Sequence, residues 1–298
     1  MRVLVLGSGG FIGGHVAQVL SSLNHQVVQA DIAHPPGGKV DFLLNAADPD
    51  FNHLFKAAQV DACVNCIGAA HVQHSFENPL SDYTLNTFRV AQMLDAIRQA
   101  SPETRFINLS SAAVYGNPVS DLPIRESAPL NPVSPYGLHK LNAESLCREY
   151  AAIFGCQTIS VRVFSAYGPN LKKQLFWDLY QKTLAGDRIE LFGTGDETRD
   201  FIFVEDLANA IDVLLKRAEF DGRAVNLASG VSTSIRTAAH IFLEALGVNK
   251  PVVFMGVART GDPVCWQADM SYLNDLGFGP RYDLRGGLGR VADWLHSL

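Results

Sequence analysis

Apolar residues in the first half of the chain fall into two alternating patterns. Short, nearly unbroken apolar runs cover residues 2–6, 26–30, 40–44, 62–67, 105–109 and 157–164. Between several of them lie stretches in which apolar positions return every three or four residues, as Ile12, Val16, Val19, Leu20 and Leu23 do. Short apolar runs read as strands buried on both faces, and the 3.6-residue period reads as helices with one buried stripe. Repeated alternation of the two predicts an α/β fold, a doubly wound parallel sheet covered by helices on both faces. Further helices are expected at 85–98 and from Pro135 to Gly155, with Ser134 as N-cap and Gly155 as the stop.

After residue 169 the pattern changes. Helices are expected at 175–184, 204–216, 235–246 and 289–298, with short strands that include 224–227 and a glycine-containing loop at 193–200. This reads as a smaller C-terminal α/β lobe interleaved with late elements of the sheet. The expected division sets 1–169, joined by elements near 201–228, against 170–200 together with 229–298.

Composition narrows the function. The chain has 298 residues, of which 47% are hydrophobic, enough for a large core and a smaller lobe. Its net charge of -6, with Lys172-Lys173 as the one adjacent lysine pair, argues against nucleic-acid binding. No apolar run reaches the roughly 20 residues of a membrane span. The N-terminal apolar run is broken by glycines and is not read as a signal peptide. Five irregularly spaced cysteines do not form a disulfide framework and point to a reducing, cytoplasmic compartment. Cys63 and Cys66 match C-x-x-C but lie in a strand-like run with no second pair, so they read as small core residues. His71 and His74, without neighbouring carboxylates, read as non-ligands, and no metal is expected.

Three constellations carry chemistry. Gly7-Ser8-Gly9-Gly10-Phe11-Ile12-Gly13 lies between the first strand and the first helix, where glycines at 7, 10 and 13 let backbone approach a pyrophosphate. Asp31, 24 residues after Gly7, ends the second strand, where a carboxylate accepts from ribose hydroxyls and repels a 2′-phosphate. With no arginine following it, NAD is expected over NADP. Tyr136 and Lys140 stand one helical turn apart on one face, and an ammonium lowers a phenol's pKa from its ordinary value near ~10. Ser111 follows the apolar run at 105–109, at the strand end where ligands bind in such sheets.

Taken together, the glycine loop, Ser111 and Tyr136…Lys140 resemble the extended short-chain dehydrogenase/reductase superfamily. The residues Arg162-Val163-Phe164-Ser165-Ala166-Tyr167-Gly168-Pro169, Gly193 through Phe201, and Arg259-Thr260-Gly261-Asp262-Pro263 extend the likeness to its NAD-dependent nucleotide-sugar epimerase/dehydratase family, with UDP-glucose/UDP-galactose 4-epimerase as the pattern. The resemblance implies a Rossmann-like NAD-binding domain at 1–169 and a substrate-binding lobe in the remainder. It implies Ser111, Tyr136 and Lys140 as catalytic residues. Gly7, Gly10, Phe11, Ile12, Gly13, Asp31 and Gly68 would contact NAD together with Tyr136 and Lys140. Arg199 and Arg259 would clamp the substrate pyrophosphate, Asp262 would accept from a ribose hydroxyl, and Ser111 would touch the sugar. Each Arg–Asp pair, Arg199-Asp200 and Arg259-Asp262, can also be read as an ordinary surface ion pair. Ser165 departs from the pattern, since many relatives carry Asn there, and the adenine contact is open between Asp41 and Asp48. A homodimer through the helices bearing 85–98 and 136–150 is also implied.

The two residues after Ser111 narrow the reaction. A 4,6-dehydratase of this family usually carries Asp-Glu there and a decarboxylase a Glu, whereas this chain has Ala112-Ala113. A 4-epimerase acting on a nucleotide sugar, with a UDP-sugar as the first candidate, needs only Ser, Tyr, Lys and a tightly held NAD. A 4-keto nucleotide-sugar reductase needs the same residues with an exchanging cofactor. A non-catalytic NAD-binding regulator is the third reading, set back by the presence of both Tyr136 and Lys140.

Overall fold

Val3 and Val5 face one side of the first strand while Leu4 and Leu6 face the other, and all four are fully buried. Such a strand has no wet face, which is why its sequence shows no alternation. The computed structural model that shows this describes residues 1–35, 38–118, 123–257 and 264–298. The first half runs β1 (Arg2–Leu6), α1 (Phe11–Ser22), β2 (Gln26–Asp31), β3 (Phe42–Leu43), α2 (Phe51–Ala58), β4 (Ala62–Asn65), α3 (Val72–Glu77), α4 (Pro79–Tyr83), α5 (Arg89–Ala100), β5 (Arg105–Ser111) and α6 (Pro135–Phe154). The second half runs β6 (Thr158–Val163), β7 (Ser165–Tyr167), α7 (Gln174–Thr183), β8 (Ile189–Leu191), β9 (Thr198–Phe203), α8 (Val204–Arg217) and β10 (Asp221–Leu227). It closes with β11 (Ser232–Ser234), α9 (Ile235–Ala245), β12 (Val252–Phe254), α10 (Ser271–Asp275) and α11 (Leu284–His296).

The main sheet has the order β10-β6-β5-β4-β1-β2-β3, and every neighbouring pair is parallel. The chain winds outward from β1 through β2 to β3, then crosses back to β4 and winds the other way. The crevice between β1 and β4 is therefore the switch point at which ligands bind in open α/β sheets. One face of the sheet packs Leu4, Leu6 and Phe106 against Phe55, Met93 and Cys147 of α2, α5 and α6. The opposite face packs Val3, Val5 and Ile107 against Val16 and Leu20 of α1 and Leu207 and Ile211 of α8. A third core gathers Tyr167, Phe176, Phe201, Phe203, Phe242 and Leu288 beside two small sheets, β11-β9-β7 and β12-β8. This is the Rossmann-like α/β architecture.

Several boundaries differ from the sequence expectation. The strand expected at 40–44 shortens to Phe42–Leu43, because Asp41 turns its carboxylate back onto the Gln29 N–H at 2.8 Å. The helix expected at 85–98 is a longer, three-part element: α4, a π-helical turn at Thr84–Phe88, then α5. Pro79 in the first turn of α4 is the start signal. The last helix begins at Leu284, capped by the Asp283 carboxylate accepting from Gly286 N at 2.7 Å. Three glycines among its first six residues hide that start from a propensity reading. One of them is required by packing, since a Cβ on Gly287 would lie 2.1 Å from the Tyr167 hydroxyl oxygen. The H-x-x-H pair is a capping device: His71 Nδ1 accepts from His74 N at 3.1 Å at the start of α3. Cys63 is buried in β4, and burial pushes its thiol and that of Cys66 up. No helix among the described residues is long and apolar enough to cross a membrane, and no His/Cys/Asp/Glu group there is arranged to hold a metal.

Candidate active site

The glycine loop joins β1 to α1 by backbone packing. Gly7 has φ of +75° and donates its N–H to Ala30 O at 2.9 Å. A Cβ on Gly13 would lie 2.0 Å from Gly7 O, so only glycine lets the helix sit this close to the loop. Gly10 caps α1 without a side-chain hydrogen bond, which leaves the first-turn N–H groups for an anion. Phe11 and Ile12 open the helix, both partly exposed. Asp31 ends β2 alongside. Its Oδ2 accepts from Gly9 N at 2.8 Å and its Oδ1 from Ile32 N at 2.6 Å, which fixes the carboxylate at the rim of the loop. An uncapped helix start, a glycine cradle and a carboxylate at the strand tip fit a dinucleotide. Asp41 already spends one oxygen on Gln29, and Asp48 is exposed.

The second cluster lies across the switch point. Ser134 Oγ accepts from Gly137 N at 3.1 Å and Pro135 fills the first turn, so α6 begins where the sequence places it. Gly155 ends it with φ of 71°. Tyr136 N donates to Ser75 Oγ at 3.1 Å, anchoring the same turn to α3. The Tyr136 and Lys140 side chains are buried, with residue exposures of 8% and 6%. Ser111 ends β5, accepts from Ala113 N at 3.2 Å and hydrogen-bonds the Tyr136 side chain. Lys140 Nζ donates to Leu109 O at 2.9 Å and lies 5.9 Å from the Tyr136 ring centroid. Gly68, just past β4, closes the group: a Cβ there would lie 3.1 Å from Lys140 Nζ and 2.7 Å from Asn86 Oδ1. Ser111, Tyr136, Lys140 and Gly68 thus form one cluster.

The electrostatics depart from the simple expectation of a phenol lowered by its lysine. Burial pushes Tyr136 up to about 12; the Ser111 hydrogen bond lowers it and the Asp82 charge raises it. Burial likewise brings Lys140 down to about 8, opposed by Asp82, Cys66 and Glu144. Desolvation wins at both groups. At neutral pH the protein's own residues hold Tyr136 as a phenol and Lys140 as an ammonium.

A buried polar network backs the cluster. Arg162 on β6 grips Glu144 of α6, with Nη2 to Oε2 at 2.8 Å and Nε to Oε1 at 3.0 Å. Ser110 Oγ donates to Glu144 Oε1 at 2.6 Å, Arg162 Nη1 donates to the Tyr115 hydroxyl at 2.8 Å, and that hydroxyl donates to Asn226 Oδ1 at 2.6 Å. The network pins α6 to the strand ends that carry Ser111.

Of the residues expected to meet the substrate, Arg199 lies on β9 with its guanidinium 5.9 Å from the Trp266 ring centroid and Nη1 donating to Thr198 O at 2.9 Å. Trp266 Nε1 donates to Gly116 O at 3.1 Å, which links Arg199 to the segment following Ser111. The neighbouring Asp200 is no surface partner. It is fully buried and accepts from Ser229 N at 2.8 Å, Ala268 N at 3.0 Å and Gly230 N at 3.1 Å. Arg259 and Asp262 lie outside the described residues.

Sequence reasoning missed Asn86, Asp82 and the Glu144–Arg162 pair. Asn86 sits in the π-helical turn, donates to Ala69 O at 3.2 Å and closes over Gly68. π-helical turns recur at functional sites, and Asn78-Pro79 upstream was the available signal that helix begins early.

The profile of the NAD dependent epimerase/dehydratase family matches residues 3–228. Over 325 residues the chain is 29% identical to the UDP-glucose 4-epimerase of Azospirillum brasilense, covering 100% of this chain and 92% of that protein. It is 26% identical over 323 residues to the dTDP-glucose 4,6-dehydratase of Xanthomonas campestris pv. campestris, covering 98% and 92%. The crystal structure of the UDP-glucuronic acid 4-epimerase of Bacillus cereus, in complex with UDP-glucuronic acid and NAD, matches with a TM-score of 0.89 at 25% identity, over 100% of this chain and 99% of that one. The chain is an enzyme whose cofactor is NAD, and it belongs to the NAD dependent epimerase/dehydratase family, within the extended short-chain dehydrogenase/reductases.

Proposed function

We propose that this enzyme is a 4-epimerase of a nucleotide-diphosphate sugar, with a UDP-sugar as substrate, working through a 4-keto intermediate. The observation that carries the reading is the wall beside Ser111. Ala112 is fully buried and Ala113 partly so, and neither brings a carboxyl for the acid and base that an elimination requires. What the cluster offers is one proton carrier and one hydroxyl, enough to work at a single carbinol.

NAD, when bound, supplies the hydride acceptor and a positive ring. Tyr136 takes the proton of the sugar hydroxyl, Ser111 hydrogen-bonds the same oxygen, and Lys140 holds the cofactor's ribose and adds positive charge. Magnitudes support the division of labour. Bringing a phenol from about 12 to near 7 requires roughly 7 kcal/mol. One ammonium, 5.9 Å from the Tyr136 ring centroid, supplies roughly 3 kcal/mol at an effective dielectric near 20. Lys140 alone is insufficient; the value of about 12 already includes the Ser111 hydrogen bond, so the phenolate needs the cofactor's positive charge as well.

Gly7, Gly10, Phe11, Ile12, Gly13 and Gly68 would hold the dinucleotide, with Asp31 on the adenosine ribose. Asp31→Ala is expected to weaken NAD binding about 10- to 100-fold, the loss of a charge-assisted hydrogen bond. Adding Ile32→Arg should shift preference toward NADP. Titration of both cofactors checks this, and equal affinity of the unaltered protein for the two would contradict the role of Asp31. Arg199, with Arg259 and Asp262, would take the substrate's diphosphate and ribose.

The packing of α8 on α1 and the entry of β10 into the main sheet support a division into a NAD-binding part, 1–169 with 201–228, and a substrate lobe of 170–200 with 229–298. Exposed Leu80, Tyr83, Leu85, Phe88 and Leu138 on α4, the π-helical turn and α6 support a homodimer through these helices. Five free cysteines support a reducing cytoplasm. The test is to purify the protein, ask whether NAD co-purifies, and assay UDP-hexoses and 4-keto nucleotide sugars with and without added NADH. Interconversion of UDP-hexoses without NADH is expected. Activity strictly dependent on stoichiometric NADH would make it a 4-keto reductase.

A further inference from the structure

Between Tyr136 and Lys140, on the same turn of α6, stands His139. Its Nδ1 lies 2.6 Å from Asp82 Oδ1 of α4, and since a carboxylate only accepts, Nδ1–H is the donor. Asp82 is fully buried and His139 nearly so. The Tyr83 ring meets the imidazole edge-on at 5.4 Å, and Thr87 Oγ1 fixes the backbone of this turn by donating to the His139 carbonyl at 2.8 Å. Asp82 Oδ2, by contrast, is buried with no hydrogen-bond partner among the described residues. A carboxylate that served only to join α4 to α6 would be expected to have both oxygens satisfied, because an unpaired buried oxygen is costly. Here half of the carboxylate's charge is left to act through space on its neighbours.

We propose that Asp82 and His139 are a positioning pair for the reaction: a buried counter-charge, oriented by the histidine, that holds Lys140 as the ammonium beside Tyr136. The proposal rests on the reading of Lys140 as the cation that holds the cofactor ribose. Other titratable or charged groups on the elements around the pair are His74 and Glu77 on α3, Tyr83 on α4, Arg89, Asp95 and Arg98 on α5, and Tyr136, Lys140, Glu144, Cys147, Arg148, Glu149 and Tyr150 on α6, with Cys66 just past β4; the π-helical turn carries none. Glu144 is tied to Arg162, and Arg89 donates to Gln92 and to the Ala46 and Ala47 carbonyls. Asp82 is the largest of the charges that favour the Lys140 ammonium, against a burial that favours the amine. The same charge opposes the Tyr136 phenolate, so the pair stabilises the cation and delays deprotonation of the phenol until a further positive charge is present.

The test is NAD bound at equilibrium dialysis by the purified full-length chain, from about pH 6 to about pH 10, spanning the Lys140 titration. Affinity of the unaltered protein should fall as pH rises through the loss of the ammonium. In Asp82→Asn that fall should move down by about one pH unit, because the supporting negative charge is gone. In His139→Gln, which keeps a donor toward Asp82 but carries no proton charge, the fall should stay where it is or move up. Weakened packing alone would shift both variants alike or neither. An Asp82→Asn profile that superimposes on the unaltered one, or a downward shift in both variants, overturns the proposal while leaving Lys140 as ribose-binding cation. An unaltered protein with no fall at all overturns both.

Discussion

Tyr136→Phe is expected to cut turnover by about 10²- to 10⁴-fold while leaving NAD bound, the scale of removing a general acid–base group. The phenol oxygen is the one group of the cluster that can both take and return the proton of a sugar hydroxyl. Lys140 spends a hydrogen bond on the Leu109 carbonyl, and the Ser111 hydroxyl is shared between Ala113 N and the phenol. Phenylalanine keeps the ring that packs in this buried site, so the loss should appear in kcat with little change in thermal midpoint. Kinetics on the interconverting sugar pair and NAD content of the purified variant check this together. Turnover within about tenfold of the unaltered enzyme would remove Tyr136 from the mechanism.

Glu144→Ala is expected to destabilise the fold by about 3–5 kcal/mol, the cost of leaving a buried charge without its partner. Arg162 would keep its charge in a site closed to water, and the Ser110 hydroxyl would lose its acceptor. Burial by itself drives the guanidinium pKa down; the Glu144 hydrogen bonds and charge outweigh it and raise it above the ordinary value. The loss should be read from the midpoint of urea unfolding at unchanged slope, and turnover should fall too, since α6 carries Tyr136 and Lys140. A loss below about 1 kcal/mol, the range of exposed ion pairs, would mean that Arg162 finds another acceptor.

The parts of the site legible in the sequence are those set by neighbours along the chain. The loop from Gly7 to Gly13, Asp31 at a strand tip, and Ser134-Pro135 ahead of Tyr136 are local signals, and each lies where the pattern places it. The parts that escaped depend on distant pairs. Asp82 meets His139 across 57 positions, and Tyr115 meets Asn226 across 111. The π-helical turn was hidden because its extra residue breaks the 3.6-residue period that reveals helices. The parallel pair β8 and β12 escaped because each strand has three residues, too few to show a period. The spacing of Tyr136 and Lys140 predicts a lowered phenol but takes no account of burial, which raises it. Spacing places two groups on one face and says nothing of the dielectric around them.

The central claim is that hydride leaves and returns to the same sugar carbon. The direct measurement uses a UDP-hexose deuterated at C4, incubated with the purified protein and excess unlabelled NADH. Epimer that retains deuterium at C4, with no label in the NADH pool, is the expected result. Epimer carrying hydrogen at C4, with one deuterium appearing in the NADH pool per turnover, would contradict it.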